Sequence, residues 1–392
     1  MQDLFVSLGA GVHQIPLIEA ARAMGYMVVA VDKNLDAPGF EYAHERIQRS
    51  ILRPASIRRK LEAIAGDPVA IVARSYGKAL ISSAALSDHL GLQGPGVQAV
   101  RFFQNKSAYK SILEEAGILV PRRFQASQIA RIKKDMRLIA RPVAGHGKLG
   151  IEILETRKDR IRFAGRQEEG WLIEELVSGT EVTVLGASHR GSYRTLLLTS
   201  KRISQSPPHF AEIMHRYPAL ISSQTKEKID QICAKIVEVS GLRTSPLVSE
   251  FIVTEDESIY LVESAPETGG EFLADFAFST ATGTDYFKWF IRLLTEDSMP
   301  ELNLADRAAV IRYLMPAEGQ LIGLEFPKWL KSCKEFAFEK KLIAPGTRTD
   351  LKHGNLHRLA AIGLRGGTSE IETLITLADK AAQETNIEYK SA

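Results

Sequence analysis

Cysteine is nearly absent: the chain of 392 residues holds Cys233 and Cys333 and no others. Two isolated thiols make neither a disulfide framework nor a cysteine metal cluster, and they fit a reducing cytoplasm. No stretch approaches the ~18 uninterrupted apolar residues of a spanning helix, and the N-terminus lacks the basic and apolar regions of a secretory signal. The expectation is a cytoplasmic protein away from membranes. An excess of either charge is missing too, because 50 basic and 47 acidic residues are spread along the chain. No basic stripe is available to track nucleic acid. Ser249 and Ser264 have no His and Asp in a hydrolase pattern, which argues against serine nucleophiles. What remains, 45% hydrophobic and 25% charged residues, describes an ordinary globular chain. Its length suits two or three lobes of roughly 100 to 200 residues each.

The opening alternates strand and helix patterns. Leu4 to Leu8 is an apolar run, Gly9-Ala-Gly11 a turn, and Ile15 to Met24 a helical spacing stopped by Gly25. Met27 to Val31 and Val69 to Ala73 repeat the apolar run around a helical Ile57 to Ile64. Such alternation predicts a parallel, doubly wound sheet. Gly9-x-Gly11 with Asp32 after the next strand matches part of a dinucleotide fingerprint, but Gln14 stands where the third glycine belongs. Gly91 to Gly96 reads as a lobe boundary, and Asn105 as the cap of a helix running to Glu115. A strand at Leu138 to Pro142 then enters the Gly-rich stretch Ala144 to Gly150, whose glycines would let backbone N–H groups approach phosphate oxygens. Lys226 to Ser240 is an amphipathic helix with Gly241 as its stop, and it makes Cys233 a packing residue. Ser369-x-x-Glu372 matches a capping box opening a last helix.

Two acids stand out near the middle. Glu250 and Glu263 lie on β-rich runs separated by the polar Thr254 to Ser258, a pattern for a hairpin that brings both carboxylates to one place. Neighbouring carboxylates repel, and a cation between them resolves the conflict. Hard oxygen ligands of this kind suit Mg²⁺ carrying a nucleotide phosphate, with Mn²⁺ as the alternative ion. The stretch Thr199 to Arg202 and His209 to Pro218 sits between further acids. Its Lys201 and Arg202 suit a carboxylate or phosphate, and His215 suits proton removal from an amine.

Taken in order, these features resemble the ATP-grasp superfamily along nearly the whole chain: the doubly wound lobe, Asn105-Lys106, the Gly-rich hairpin loop, the acidic hinge Glu174-Glu175, Glu181, and the pair Glu250 and Glu263. Within it the likeness is closest to the carbamoyl-phosphate synthase and biotin carboxylase type and the amino-acid ligases related to them. The resemblance implies a mixed α/β and α+β fold with nucleotide held between two β-containing subdomains. It implies a doubly wound domain over 1–100, an ATP-grasp domain over 101–300 with a lid at about 118–176, and a C-terminal α+β subdomain over 301–392. Lys106 and Arg141 would hold phosphates, arginine at the second place matching the carbamoyl-phosphate synthase variant. Gly145, Gly147 and Lys148 would cover the phosphates. The hinge Glu174, Glu175, Leu176 and Val177 would receive adenine through backbone groups, and Glu181 the ribose hydroxyls. Glu250 and Glu263, 263 − 250 = 13 positions apart, would bridge the metal to the phosphates.

The chain also departs from that pattern. Where the family reads Glu-x-Asn-Pro-Arg, this sequence reads Glu263-Ser-Ala265-Pro266-Glu267. A metal-ligating Asn and an Arg that steadies the acyl phosphate are both replaced. The expected activity is ADP-forming ligation of a small carboxylate, such as an amino acid, to an amine through an acyl phosphate, by a homodimer. Three consequences of the replaced pair stay open: a single tightly held Mg²⁺, a substitute oxygen ligand from Glu267 or Glu271, or lost chemistry with ATP binding kept. The last would make the chain a nucleotide sensor or silent partner subunit. Two further functions compete with the ligase: a carboxylase of the biotin carboxylase kind and an NAD-dependent oxidoreductase.

Overall fold

The computed structural model describes residues 2–75, 77–132, 136–143, 149–166, 170–206, 209–270 and 272–390. Its first sheet is parallel, ordered β3-β2-β1-β4, from β1 (Asp3–Leu8), β2 (Met27–Asp32), β3 (Glu45–Gln48) and β4 (Asp67–Val72). Successive side chains leave a strand on opposite faces. Phe5 therefore joins one core, with Leu17, Ile18 and Trp289, while Leu4, Val6 and Leu8 join another with Ile57, Leu61 and Leu80. Burial on both faces is why these strands read as continuous apolar runs.

The turn between β1 and the helix Ile15–Ala23 is filled by its own chain. Ala10 N–H donates to Asp32 Oδ2 at 3.0 Å, Gly11 N–H donates to Gln14 Oε1 at 3.0 Å, and Gly39 N–H donates to the Ala10 carbonyl at 2.6 Å. A Cβ on Gly39 would stand 2.7 Å from that carbonyl oxygen, so only glycine fits the approach. The Asp32 carboxylate and the Ala10 and Gly11 amides of this turn are thus bonded within the fold.

A second, antiparallel sheet is ordered β5-β8-β6-β7, from β5 (Arg123–Phe124), β6 (Leu138–Pro142), β7 (Glu152–Leu154) and β8 (Trp171–Glu175). It closes a small core of Ile129, Leu138, Leu154, Phe163 and Ile173. The helix Arg157–Ala164 over it starts at a capping box, in which Thr156 and Asp159 satisfy each other's amide N–H.

The third sheet has eight strands: β9 (Thr180–His189), β10 (Ser192–Ile203), β11 (Glu212–Tyr217), β12 (Ser245–Val253), β13 (Ile259–Ala265), β14 (Ala308–Leu314), β16 (Phe336–Lys341) and β18 (Ala360–Gly366), in the order β13-β12-β9-β10-β11-β14-β18-β16. The last three continue the same surface, and β15 (Gly319–Glu325), β17 (Arg348–Thr349) and β19 (Asn386–Lys390) form a small sheet beside them. Alternation divides the large sheet. Val182, Val184, Leu198, Phe251 and Leu261 pack beneath the helix Ser223–Ser240 against Ile229, Cys233 and Ile236. Burying each such side chain contributes roughly 1.5 to 3 kcal/mol. That helix starts where Ser222 Oγ accepts from Thr225 N–H at 3.1 Å and stops at Gly241, whose φ is +67°. The polar residues of the same strands are left on the other face. The expected capping box at Ser369 needs correction: Glu370 Oε2 accepts from Gly367 N–H at 2.8 Å, and the helix Ile371–Glu384 follows a 3₁₀ turn. Glu372 turns outward to Arg216 instead.

Candidate active site

β12 and β13 form the expected hairpin with Glu250 directly opposite Glu263. Glu250 also faces Thr183 on β9, which in turn faces Thr199 on β10. Four polar side chains thus make one row across four strands, on the face away from the Ser223–Ser240 helix. Lys201, two positions along β10, shares this face and pairs in register with His215 on β11. Its Nζ donates to Glu250 Oε1 and to Glu212 Oε1, both at 2.8 Å, and the side chain is 1% exposed. Lys106, the first residue of the helix Lys106–Glu115, reaches Glu263 Oε1 at 2.7 Å. Each carboxylate of the pair is therefore already drawn to a cation. Two neighbouring anionic oxygens converging on one cavity are a donor set that fits a hard divalent ion such as Mg²⁺.

Beneath this row lies a buried charge network that the sequence did not disclose. Lys110 Nζ donates to Glu174 Oε1 at 2.5 Å, with the two side chains 0% and 1% exposed, and Arg141 donates to the other Glu174 oxygen. Burial pulls the Lys110 ammonium down to about 8, against the pull of Glu174. Burial alone would raise the Glu174 carboxyl, but Lys110 and Arg141 outweigh it and hold it below the ordinary range. Glu174 therefore stays ionised and fixes Arg141 on the small sheet. Lys110 stands one helical turn after Lys106; that i,i+4 spacing was the available signal. Tyr109 ties the same helix to the hairpin, its Oη accepting from Ser264 N–H at 3.1 Å.

Between the small and large sheets the segment from Glu174 to Glu181 borders a cavity of about 240 Å³, walled by Ile139, Ile151, Ile153, Ile252 and Val262. Glu175 is turned toward β5, its Oε1 accepting from Arg122 N–H at 3.0 Å. Leu176 N–H donates to the Arg137 carbonyl at 2.9 Å, whereas Val177 N–H has no partner among the described residues. Glu181 lines the same cavity. A second cavity of about 410 Å³ shares Arg141 and Ile151 with the first and is lined by Lys106, Glu212, Glu250, Glu263, Glu267 and Asn355. Gly145, Gly147, Lys148 and Glu271 lie outside the described residues.

The structure separates the three residues expected to meet substrate. Lys201 joins the acid pair. Arg202 projects to the opposite face of β10 and pairs with Asp379 of the helix Ile371–Glu384, so its expected role is corrected by simple strand alternation. His215 is buried behind Lys201, its Nδ1 3.3 Å from Thr199 Oγ1 and its ring edge-on to Tyr313. Asn355 comes from the C-terminal third and donates to Glu212 Oε2 at 2.7 Å, with Arg358 also close to that oxygen at 3.5 Å. Their loop is held by Asp350, His353 and His357, whose ligand-type atoms lie within 4.8 Å of one another. This set is satisfied internally: His353 Nδ1 bonds Asp350 at 2.7 Å, and His357 Nδ1 accepts from Asp350 N–H at 3.1 Å. Ser249 and Ser264 bond each other at 2.8 Å.

Glu267 is the residue that departs most from expectation. It lines the larger cavity, and burial with the fields of Glu263 and Glu250 pushes its carboxyl up to about 7, only partly offset by Lys106.

The fold has counterparts among known proteins. Residues 138–275 match the ATP-grasp domain family. Over 180 residues the chain is 26% identical to the D-alanine–D-alanine ligase of Halalkalibacterium halodurans, a match covering 42% of this chain and 59% of that ligase. The L-amino acid ligase from Bacillus licheniformis superposes with a TM-score of 0.82 at 18% identity, covering 100% of this chain and 99% of that one. The biotin carboxylase domain dimer of 2-oxoglutarate carboxylase from Hydrogenobacter thermophilus, solved with MgADP, ADP and bicarbonate, superposes with a TM-score of 0.70 at 16% identity, covering 99% and 91%. The chain carries an ATP-grasp domain. From its first strand to its last it has the ATP-grasp fold. Among the described residues no helix is long and apolar enough to cross a membrane.

Proposed function

We propose that this protein is an ATP-dependent carboxylate–amine ligase acting on an amino acid or similar small carboxylate. ATP phosphorylates the carboxylate, an amine displaces phosphate from the acyl phosphate, and ADP and phosphate leave. The observation that carries this reading is the carboxylate pair Glu263 and Glu250, with Lys201 bonded to Glu250, beside a cavity that shares Arg141 and Ile151 with the cavity at the hinge.

The arrangement supports a nucleotide with its base among Ile139, Ile153 and Val262, its N1 edge facing Val177 N–H and its ribose hydroxyls facing Glu181. Its phosphates then point to Lys106 and Arg141. Mg²⁺ or Mn²⁺ held by Glu250 and Glu263 supplies charge neutralisation for the transferring phosphoryl group. Lys106 and Arg141 offset the remaining phosphate charge, and Glu174 keeps Arg141 aimed at no cost in reorganisation. Lys201, anchored by Glu212, presents an ammonium where the acyl phosphate forms. The absence of Asn and Arg at Ala265 and Glu267 leaves that cationic task to Lys201. We place the enzyme in the cytoplasm as a homodimer.

Purified protein with MgATP and pooled amino acids and amines tests this by mass spectrometry. ADP together with a new condensation mass is expected. Nucleotide binding without ADP release from any pool would sink the ligase reading in favour of a nucleotide sensor.

A further inference from the structure

The larger cavity has an imbalance of charge that nucleotide chemistry does not use. Of its lining residues, Lys106 and Arg141 are cationic and Glu212, Glu250, Glu263 and Glu267 are acidic. Three of these acids are accounted for. Glu263 takes Lys106 at 2.7 Å, and Glu250 and Glu212 share Lys201 at 2.8 Å. Glu267 alone has no side-chain hydrogen bond or ion pair among the described residues. It follows the hairpin strand that carries Glu263 and occupies the wall between Pro266 and Gly269, with Leu273 beyond. A carboxylate set among apolar and glycine surfaces beside two further acids is costly unless it takes up a proton or a cation comes to it.

A metal shared by Glu250 and Glu263 satisfies those two acids and leaves Glu267 over. The attacking amine cannot be that cation throughout, because it must be neutral to attack the acyl carbon. A spectator ammonium, on a substrate atom that takes no part in the reaction, meets both conditions. An arginine at this position would draw an anion; glutamate reverses the preference. Resting on the ligase reading, we infer that Glu267 is a specificity-determining residue that receives a spectator ammonium, and that the preferred substrate is a basic amino acid or a diamine.

The test is calorimetric titration of the full chain loaded with Mg²⁺ and ADP, using L-lysine, 1,5-diaminopentane, norleucine and glutamate as probes. Lysine or the diamine is expected to bind at least about tenfold more tightly than norleucine, which matches lysine in length without its terminal charge. Glu267→Gln should weaken the cationic probe by roughly ten- to a hundredfold, the worth of one charged hydrogen bond, and leave norleucine unchanged. Glu267→Arg should transfer the preference to glutamate. Thermal melts of both variants report that they are folded. Equal affinity of lysine, the diamine and norleucine in the unaltered protein would overturn the proposal, as would an unchanged preference in Glu267→Gln. A tenfold loss of Mg²⁺ affinity in Glu267→Gln would overturn it differently, by making Glu267 a metal ligand. Because binding is read without turnover, a cation preference with no ADP release would count against the ligase reading and not against this one.

Discussion

Replacing Lys110 with Met tests whether the buried Lys110–Glu174–Arg141 network is a structural support of the proposed nucleotide face. The substitution keeps much of the side-chain volume and removes the ammonium that donates to Glu174 at 2.5 Å. Removing one partner of a buried pair costs about 3 to 5 kcal/mol, because the other charge stays desolvated. Arg141 still bonds Glu174, so the lower end, about 3 kcal/mol, applies here. The entropy of unfolding, roughly 2.1 cal/mol/K per residue, comes to about 0.8 kcal/mol/K over this chain, and the expected fall in Tm is about 4 °C. Scanning calorimetry at pH 7 measures it directly. Lys110→Met combined with Glu174→Gln should lose less than the sum of the single changes, since the second replacement removes the stranded charge. A Tm within about 1 °C of the unaltered protein, or strict additivity, would refute the reasoning.

Further outcomes follow from the same geometry. Glu263→Gln should cut ADP formation by at least about a hundredfold while the melting curve stays put, because one charge of the proposed metal-binding pair is lost without a change in volume; undiminished turnover would remove the pair from the mechanism. Arg202→Ala should leave kcat and KM unchanged and cost at most about 1 kcal/mol, since its partner Asp379 lies on the opposite face of the sheet; Lys201→Ala, by contrast, should collapse kcat. Glu267→Gln should stabilise the ligand-free protein at pH 8 and not at pH 4.5. The folded carboxyl sits at about 7 against an ordinary value of 4.5, so the folded state binds the extra proton between those values. Its stability falls as pH rises through that window, and the full penalty of up to about 3 kcal/mol persists above it. Urea titrations at the two pH values measure the difference.

Much of this architecture was legible because the patterns are local. Apolar runs buried on both faces announced the parallel sheet, Gly241 announced a helix stop, and the polar break at Thr254 to Ser258 announced the hairpin that places Glu250 opposite Glu263. What escaped depends on contacts between distant residues. Lys110 looks like any helix-surface lysine until Glu174, 64 positions away, is seen to bury it. Asn355 reaches Glu212 across 143 positions, with no motif of its own. Arg202 misleads beside Lys201 because adjacent strand residues share a sequence context and face opposite ways, so a pair of cations in sequence is one cation at the site. The capping box at Ser369 fails for a related reason: Gly367 and Glu370 offer an equivalent closure two residues earlier.

The most direct test of the central claim is the path of one oxygen. With amino-acid substrates labelled with ¹⁸O in the carboxylate, an acyl phosphate transfers one labelled oxygen to the phosphate released. Inorganic phosphate carrying that single heavy oxygen, formed in step with ADP and the condensed product, is the expected result. Unlabelled phosphate accompanying the product, or product formed without ADP, would contradict it.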